Sequence, residues 1–409
     1  MSQPLSVAEY KATVAALLPA ARTVTLPVEE CHGRVLAEDV TAGVSLPPFD
    51  NSAMDGYAVR AADVAGASER APIELPVAAD IPAGRTDGPP LEPGTAHRIM
   101  TGAPMPDGAD TIVKVEDTDG GTERVRLFAA AEVGKSVRRA GEDVAGGAIA
   151  LRAGTLLGAA QLGLAAATGR DALAVKAGLR VLVLSTGSEL VLPPDPLQHG
   201  QIYESNAIML AAAIRALGCE VDVVRSVADD VGTFREILAK HSEDADLIVT
   251  SGGVSAGAYE VVKDALTSEG VRFTKVAMQP GGPQGCGTVA GTPIVTLPGN
   301  PVSVLVSYEV FLRPALLTAL GHAHVDRPVV RARLLEPLAA PAGKRQFRRG
   351  FYTPPVAPGA GSVTGTVGPR GGPGSHLLAA FTQANCLIVI DEDTTEVAEG
   401  AEVDVLLLS

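Results

Sequence analysis

The run Pro47-Pro48-Phe49-Asp50-Asn51-Ser52-Ala53-Met54-Asp55-Gly56-Tyr57 sets two carboxylates, an amide and a hydroxyl beside three side chains able to bury, Phe49, Met54 and Tyr57. An unpaired buried polar group costs about 1–3 kcal/mol, so such a cluster calls for a ligand, an ion or a partner. The competing reading is an Asx-rich turn whose side chains bind their own backbone. Further on, polar loops follow apolar runs at Ser185-Thr186-Gly187-Ser188-Glu189, Asp229-Asp230, Ser251 to Gly257, Gln279 to Pro283 and Pro298-Gly299-Asn300-Pro301. Loop glycines let backbone N–H groups approach an anion, and the helix starts that follow add positive partial charge. Together they read as a phosphate-type cradle. Ser251 to Gly257 is nevertheless neither a Walker A loop nor a Gly-x-Gly-x-x-Gly fingerprint. Glu189, Asp229 and Asp230 would repel an anion there unless a hard cation such as Mg²⁺ lay between, with helix N-capping the alternative for Asp230. Candidate cations for an oxyanion are Arg138-Arg139, Lys344-Arg345, Arg348-Arg349, Lys263, Lys275 and Arg370, against the plain alternative of solvated surface charge. His32, His97 and His376 lack metal-ligand spacing and read as structural.

The elements that must position these groups are legible in outline. Ser6-Val7-Ala8-Glu9 has capping-box spacing and starts a helix with Val14, Leu17 and Leu18 on one face. From Val24 to Ala150 the texture is β-rich, with strands at Ile73 to Val77, His97 to Thr101, Thr111 to Val115 and Glu123 to Phe128. Ala148 to Thr168 reads as strand then helix, rejoining the first segment in space. Between Leu179 and Leu320, strands at Arg180, Glu220, Asp246, Val271 and Pro293 alternate with helices. Such units predict a parallel sheet with helices on both faces, and every polar loop opening at its carboxyl edge. After Arg327 the pattern returns to β, at Val329 to Leu335, Phe347 to Thr353, Cys386 to Ile390 and Glu402 to Leu408.

At 409 residues the chain exceeds one ordinary core. A net charge of −14 argues against a general nucleic-acid or membrane-surface binder. The four cysteines are scattered, which fits a reducing compartment and neither a zinc site nor a disulfide framework. The first ten residues lack a secretory pattern, and the apolar stretch Thr155 to Thr168 is too short to span a bilayer. A cytoplasmic protein is the simple expectation.

Taken in order, the loops resemble the molybdopterin molybdenumtransferase family, that is MoeA and the E domain of gephyrin. The matching stretches are Pro48 to Tyr57, Thr101-Gly102-Ala103-Pro104, Arg139 to Asp143, Ser185 to Leu190, Ser205-Asn206, Asp229-Asp230 and Ser251 to Gly257. Leu297 to Ser303, Gly374-Ser375-His376 and Ala384 to Val389 extend the match over essentially the whole chain. The resemblance implies an elongated chain with a MogA-like doubly wound α/β domain, a β-rich module, a linker domain and a C-terminal β-barrel-like domain. It divides the chain as 1-44 plus 144-176, 45-143, 177-326 and 327-409.

By the same resemblance the activity is molybdenum insertion from molybdate into adenylated molybdopterin, with hydrolysis of the adenylate, Mg²⁺ as cofactor and AMP released. A homodimer would place the site at the subunit interface, and a molybdopterin adenylyltransferase could hand over the substrate. Glu189 and Asp229 would hold Mg²⁺, while Asp55, Thr101, Arg138 and Asp143 would reach in from the β module. Ser251, Gly252, Gly253, Pro298, Asn300 and Pro301 would shape the pterin site, joined by Ser255, Glu260 and Lys263. Lys275, Arg349 and Ser375 would contact the oxyanion. The chain departs from the family's pattern at Glu260, where an Asp is common, and at Gln279 and Gly282, where Lys is common. Fewer positive charges should weaken molybdate capture unless nearby arginines compensate. A non-catalytic molybdopterin-binding scaffold and a molybdopterin adenylyltransferase are the alternatives.

Overall fold

Helix α1 (Val7–Leu17) starts where its capping box says it should. The Ser6 hydroxyl accepts from Glu9 N at 3.2 Å and the Glu9 carboxylate accepts from Ser6 N at 2.8 Å, so two orphan donors are satisfied reciprocally. Its buried face is Val7, Tyr10 and Val14, spaced as one side of a helix demands. The computed structural model that gives these coordinates describes residues 3–85, 87–227, 230–254, 261–355 and 364–408. The chain folds as two units, Met1–Val24 with Gly33–Val35 and Lys176–Ser409, and Thr25–His32 with Leu36–Val175.

The second unit is built on a five-stranded sheet of β1 (Gly56–Val59), β2 (Ile73–Ile81), β3 (Ala96–Ile99), β4 (Thr111–Lys114) and β5 (Arg124–Leu127), in the order β4-β1-β3-β2-β5. Its core gathers Tyr57, Val59, Leu75, Val113, Val125 and Leu127. The strand Ile149–Leu151 pairs with Val40–Thr41, so the stretch after residue 148 does rejoin the first segment, and helix α2 (Ala159–Ala167) follows. Of the apolar groups in the Phe49 to Tyr57 run only Tyr57 is buried. Phe49 is 45% exposed and Met54 50% exposed, which corrects the expectation of a buried core there. Backbone pairing explains the outcome: Ser52 N donates to Ala103 O at 3.0 Å and Gly102 N to Ser52 O at 2.8 Å, fixing the turn with those two side chains outward.

In the first unit, β6 (Arg180–Thr186), α3 (Asn206–Arg215), β7 (Glu220–Val227), α4 (Val231–His241), β8 (Leu247–Ser251), α5 (Val261–Leu266), β9 (Arg272–Lys275), β10 (Pro283–Val289) and β11 (Thr292–Leu297) make the α/β part. The sheet order is β7-β6-β8-β11-β10-β9. Side-chain alternation sorts the two faces. Val181, Val183, Val249 and Val295 pack with α1 and α3 in one core, while Leu182, Leu184, Ile248 and Ile294 pack with Phe234 and Leu238 of α4 in the other. Strands β7, β6, β8 and β11 are parallel as expected. Strand β10 was not foreseen: it runs antiparallel to both β11 and β9, so the sheet is mixed.

A helical run α6 (Pro301–Ala319) leads out of the sheet; it is long and apolar enough to cross a membrane by composition, but 78% of its window is buried in this unit. It therefore serves as a core helix. Beyond it, β12 (Val329–Leu334), β13 (Arg345–Thr353), β14 (Gly365–Pro369), β15 (Cys386–Ile390) and β16 (Glu402–Leu407) close into a barrel, because β13 pairs with both β14 and β15. Closure removes the sheet edges that would otherwise need covering. Ala332, Leu334, Val367, Ile388 and Val405 fill it.

Candidate functional site

A cavity of about 530 Å³ opens at the carboxyl edge of the mixed sheet, lined by Thr186, Glu189, Glu204, Ser251, Gly252, Gly253, Asn300 and Pro301 among others. Its floor is the ends of β6 and β8, and α6 begins at its rim, which is where open α/β sheets bind ligands. Gly252 N donates to Leu297 O at 3.1 Å, tying the Ser251 loop to the end of β11. The exposed Glu189 carboxylate folds back over Gly187, where an added Cβ would meet its Oε2 at 2.7 Å. Buried polar atoms without a hydrogen-bond partner among the described residues concentrate here: Thr186 Oγ1, Glu204 Oε2, Asn206 Oδ1 and Ser251 Oγ. Such groups are rarely left unpaired, so the cavity is shaped for a polar ligand.

Other expected site residues fall around or away from this cavity. Pro298 is buried just behind the lining loop. Ser375 O accepts from Val302 N at 3.0 Å, which brings the next residue, His376, onto the cavity wall. Lys275 ends β9 opposite Pro283. Lys263 lines a separate hollow with Thr267, Arg272 and Phe273. Arg349 is 3% exposed and donates through Nη2 to Gly372 O, while burial and then the charge of Arg348 pull its guanidinium below the usual value. Asp229, Ser255 and Glu260 lie outside the described residues. Asp230 caps α4, accepting from Thr233 N at 2.7 Å, so its helix-capping reading holds.

The second unit carries its own polar constellation. Asp55 Oδ1 accepts from Thr101 N and Thr101 Oγ1, both at 2.7 Å. Asp50 accepts from Arg139 Nη1 at 2.6 Å and Ala140 N at 2.8 Å. Asn51 Nδ2 donates to Phe49 O at 3.1 Å and the Ser52 hydroxyl accepts from Met54 N at 3.2 Å. Asn51 and Ser52 thus satisfy themselves locally, as the turn reading required, whereas Asp50 pairs with the distant Arg139 and Ala140 and Asp55 is seated on the Thr101 loop. Arg138 stands exposed opposite Asn51 in register, and Asp143, also exposed, donates its N–H to Leu46 O at 3.0 Å.

Residues 5–169 match the MoeA N-terminal region (domain I and II), residues 182–318 a probable molybdopterin binding domain and residues 331–408 the MoeA C-terminal region (domain IV). Molybdopterin molybdenumtransferase 2 of Mycobacterium tuberculosis is 55% identical over 407 residues, covering 98% of each chain. The chain belongs to the MoeA family. Molybdopterin molybdenumtransferase 1 of the same organism is 38% identical over 422 residues, covering 99% of each chain. The molybdopterin biosynthesis MoeA protein of Pyrococcus horikoshii superposes with a TM-score of 0.83 at 30% identity, covering all of both chains. The MoeA fold, with its mixed α/β part and closed C-terminal barrel, is the architecture described above.

In this MoeA chain the sequence reading passed over Glu204 as a cavity residue and took His376 as structural, although His376 also lines the cavity. The Glu204 signal was present: a carboxylate three residues ahead of Ala207 at a helix start is placed to cap it. Hydrogen bonds from the Thr101 N–H and then its hydroxyl hold the Asp55 carboxyl below its ordinary range. The stabilisation this brings is full above the ordinary carboxyl value of about 3.9 and is lost as pH falls through the lower folded value. An NMR titration should therefore give Asp55 a midpoint below that of a free aspartate. Thr101→Val, which keeps only the backbone donor, should move it part of the way back up; an unmoved midpoint would show the hydroxyl bond to be idle.

Proposed function

We propose that the chain inserts molybdenum from molybdate into adenylated molybdopterin, hydrolysing the adenylate and releasing molybdenum cofactor and AMP. The observation that carries this reading is the sheet-edge cavity, where Glu189, Ser251 to Gly253, Asn300 and Pro301 converge on unpartnered polar atoms. Its volume of about 530 Å³ lies in the range of small-molecule sites. Relatives that bear the name molybdenumtransferase over nearly their full length support the same activity and favour neither the scaffold nor the adenylyltransferase alternative.

The cavity's oxygens fit a hard cation, since the exposed Glu189 carboxylate stands with the unpartnered hydroxyl oxygens of Thr186 and Ser251. Glu189 and Asp229 would hold Mg²⁺, which when bound neutralises charge on phosphate oxygens. Asp55, Thr101, Arg138 and Asp143 would complete the site from the β module of a second protomer in a homodimer. Ser255, Glu260 and Lys263 would flank the pterin. Lys275, Arg349 and Ser375 would meet molybdate, convergent cations and hydroxyls being what an oxyanion needs. The reading is of a cytoplasmic enzyme that receives its substrate from a molybdopterin adenylyltransferase and binds neither nucleic acid nor membrane. It keeps the four-part division 1-44 plus 144-176, 45-143, 177-326 and 327-409.

The deciding assay is AMP release from adenylated molybdopterin with Mg²⁺, with and without molybdate, scored in parallel for active molybdenum cofactor. Molybdate-dependent release with cofactor formed is the expected result. Tight substrate binding with no release would reject the insertase in favour of the scaffold.

A further inference from the structure

The same cavity holds a carboxylate that the proposed chemistry leaves unused. Glu204 is 3% exposed and lines the cavity wall. Its Oε1 accepts from Ala207 N at 2.7 Å, satisfying an N–H of the first turn of α3. Its Oε2 is buried with no partner among the described residues. Two residues on, Asn206 Nδ2 donates to Gly299 O at 2.7 Å, which orients the amide and leaves Oδ1 likewise buried and unpartnered. Both orphaned atoms are acceptors, and an acceptor buried without a donor is unfavourable, so they mark where ligand N–H groups belong.

We propose that Glu204 and Asn206 read the donor edge of the substrate's pterin ring, its N3–H and 2-amino group. The assignment rests on the function proposed above. A 2-amino-4-oxo pyrimidine ring offers adjacent N–H donors, which an acceptor-only pair matches. Adenine alternates donor and acceptor along its edges, so the base of the adenylate would leave one of these acceptors facing a lone pair. A carboxylate also favours this edge over the 2-oxo ring of a lumazine, whose C2 carbonyl would point at Glu204.

The test uses the full chain, with molybdopterin binding followed by fluorescence and displacement by 6-hydroxymethylpterin or the matching 6-hydroxymethyllumazine. With wild-type protein the pterin should displace molybdopterin at a concentration lower than the lumazine by about tenfold or more, as expected for a bond to a charged acceptor. Glu204→Gln keeps an oxygen for Ala207 N but turns a donor into the cavity. It should weaken molybdopterin binding by about tenfold or more and erase or reverse the pterin preference. Its thermal midpoint should not fall, because the cap on Ala207 N is kept. Equal displacement by both competitors with wild-type protein would overturn the assignment while leaving the proposed function standing. So would a Glu204→Gln defect that appears only when Mg²⁺ is present, since Oε2 would then be a cation ligand. A wild-type chain that does not retain molybdopterin would overturn the proposed function itself, and this assignment with it.

Discussion

Glu189→Gln should cut Mg²⁺-dependent AMP release by on the order of 100-fold or more, because it removes a charged oxygen from the proposed cation site. The fold should be untouched. Glu189 lies exposed on the cavity rim, and its backbone O still accepts from Ile202 N at 3.0 Å, a bond that the side chain does not share. Gln presents a neutral oxygen at the same reach, so raising Mg²⁺ should recover part of the lost rate, whereas a residue acting on substrate alone would show no such rescue. Three measurements settle the matter: the Mg²⁺ dependence of AMP release, molybdopterin retention, and the thermal midpoint. Wild-type turnover in Glu189→Gln at limiting Mg²⁺ would remove the metal role. A lowered midpoint with proportionate loss of AMP release and molybdopterin retention would mark Glu189 as structural.

Glu189 was legible in the sequence because it sits in a loop directly after an apolar strand, and the same logic located Ser251 to Gly253 and Asn300-Pro301. Position relative to the sheet edge carried the information. The continuous apolar run Val181 to Leu184 likewise announced a strand buried on both faces, and the structure sorts those residues into two cores. Strand β10 escaped because its sequence, Pro283-Gln284-Gly285-Cys286-Gly287-Thr288-Val289, has poor intrinsic strand preference. Its glycines answer to neighbours remote in sequence: a Cβ at Gly285 would meet Thr296 Oγ1 at 2.3 Å and Phe273 Cδ1 at 2.8 Å. Tertiary packing thus dictates glycine where a local rule reads a turn. Strand β14, Gly365–Pro369, escaped for the same kind of reason, and barrel closure depends on it. Glu204 escaped because nothing local tells which of a capping carboxylate's two oxygens is left without a donor.

Gly56→Ala should be the most destabilising small substitution in the Asp55 motif. Gly56 lies in β1 between two partners, in register with Ile99 of β3 and Lys114 of β4. A Cβ built there would meet Val113 O at 2.2 Å and Lys114 Cα at 2.9 Å. Both contacts are backbone, so no rotamer change relieves them. Strand β4 must shift, and with it Val113, in a core closed around Tyr57. Overpacking of this kind costs about 3 kcal/mol or more when the clash is with main chain. The cost should fall on the second unit, giving an earlier urea transition and early proteolytic cleavage between residues 36 and 175. Asp55 would lose its seat on Thr101, and AMP release should fall with the folded fraction. The cavity proposed for molybdopterin is built wholly from the first unit. Molybdopterin retention should therefore outlast catalysis in this variant. An unchanged urea midpoint would mean that the sheet has slack at β4. Loss of binding in parallel with turnover would mean instead that the two units unfold as one.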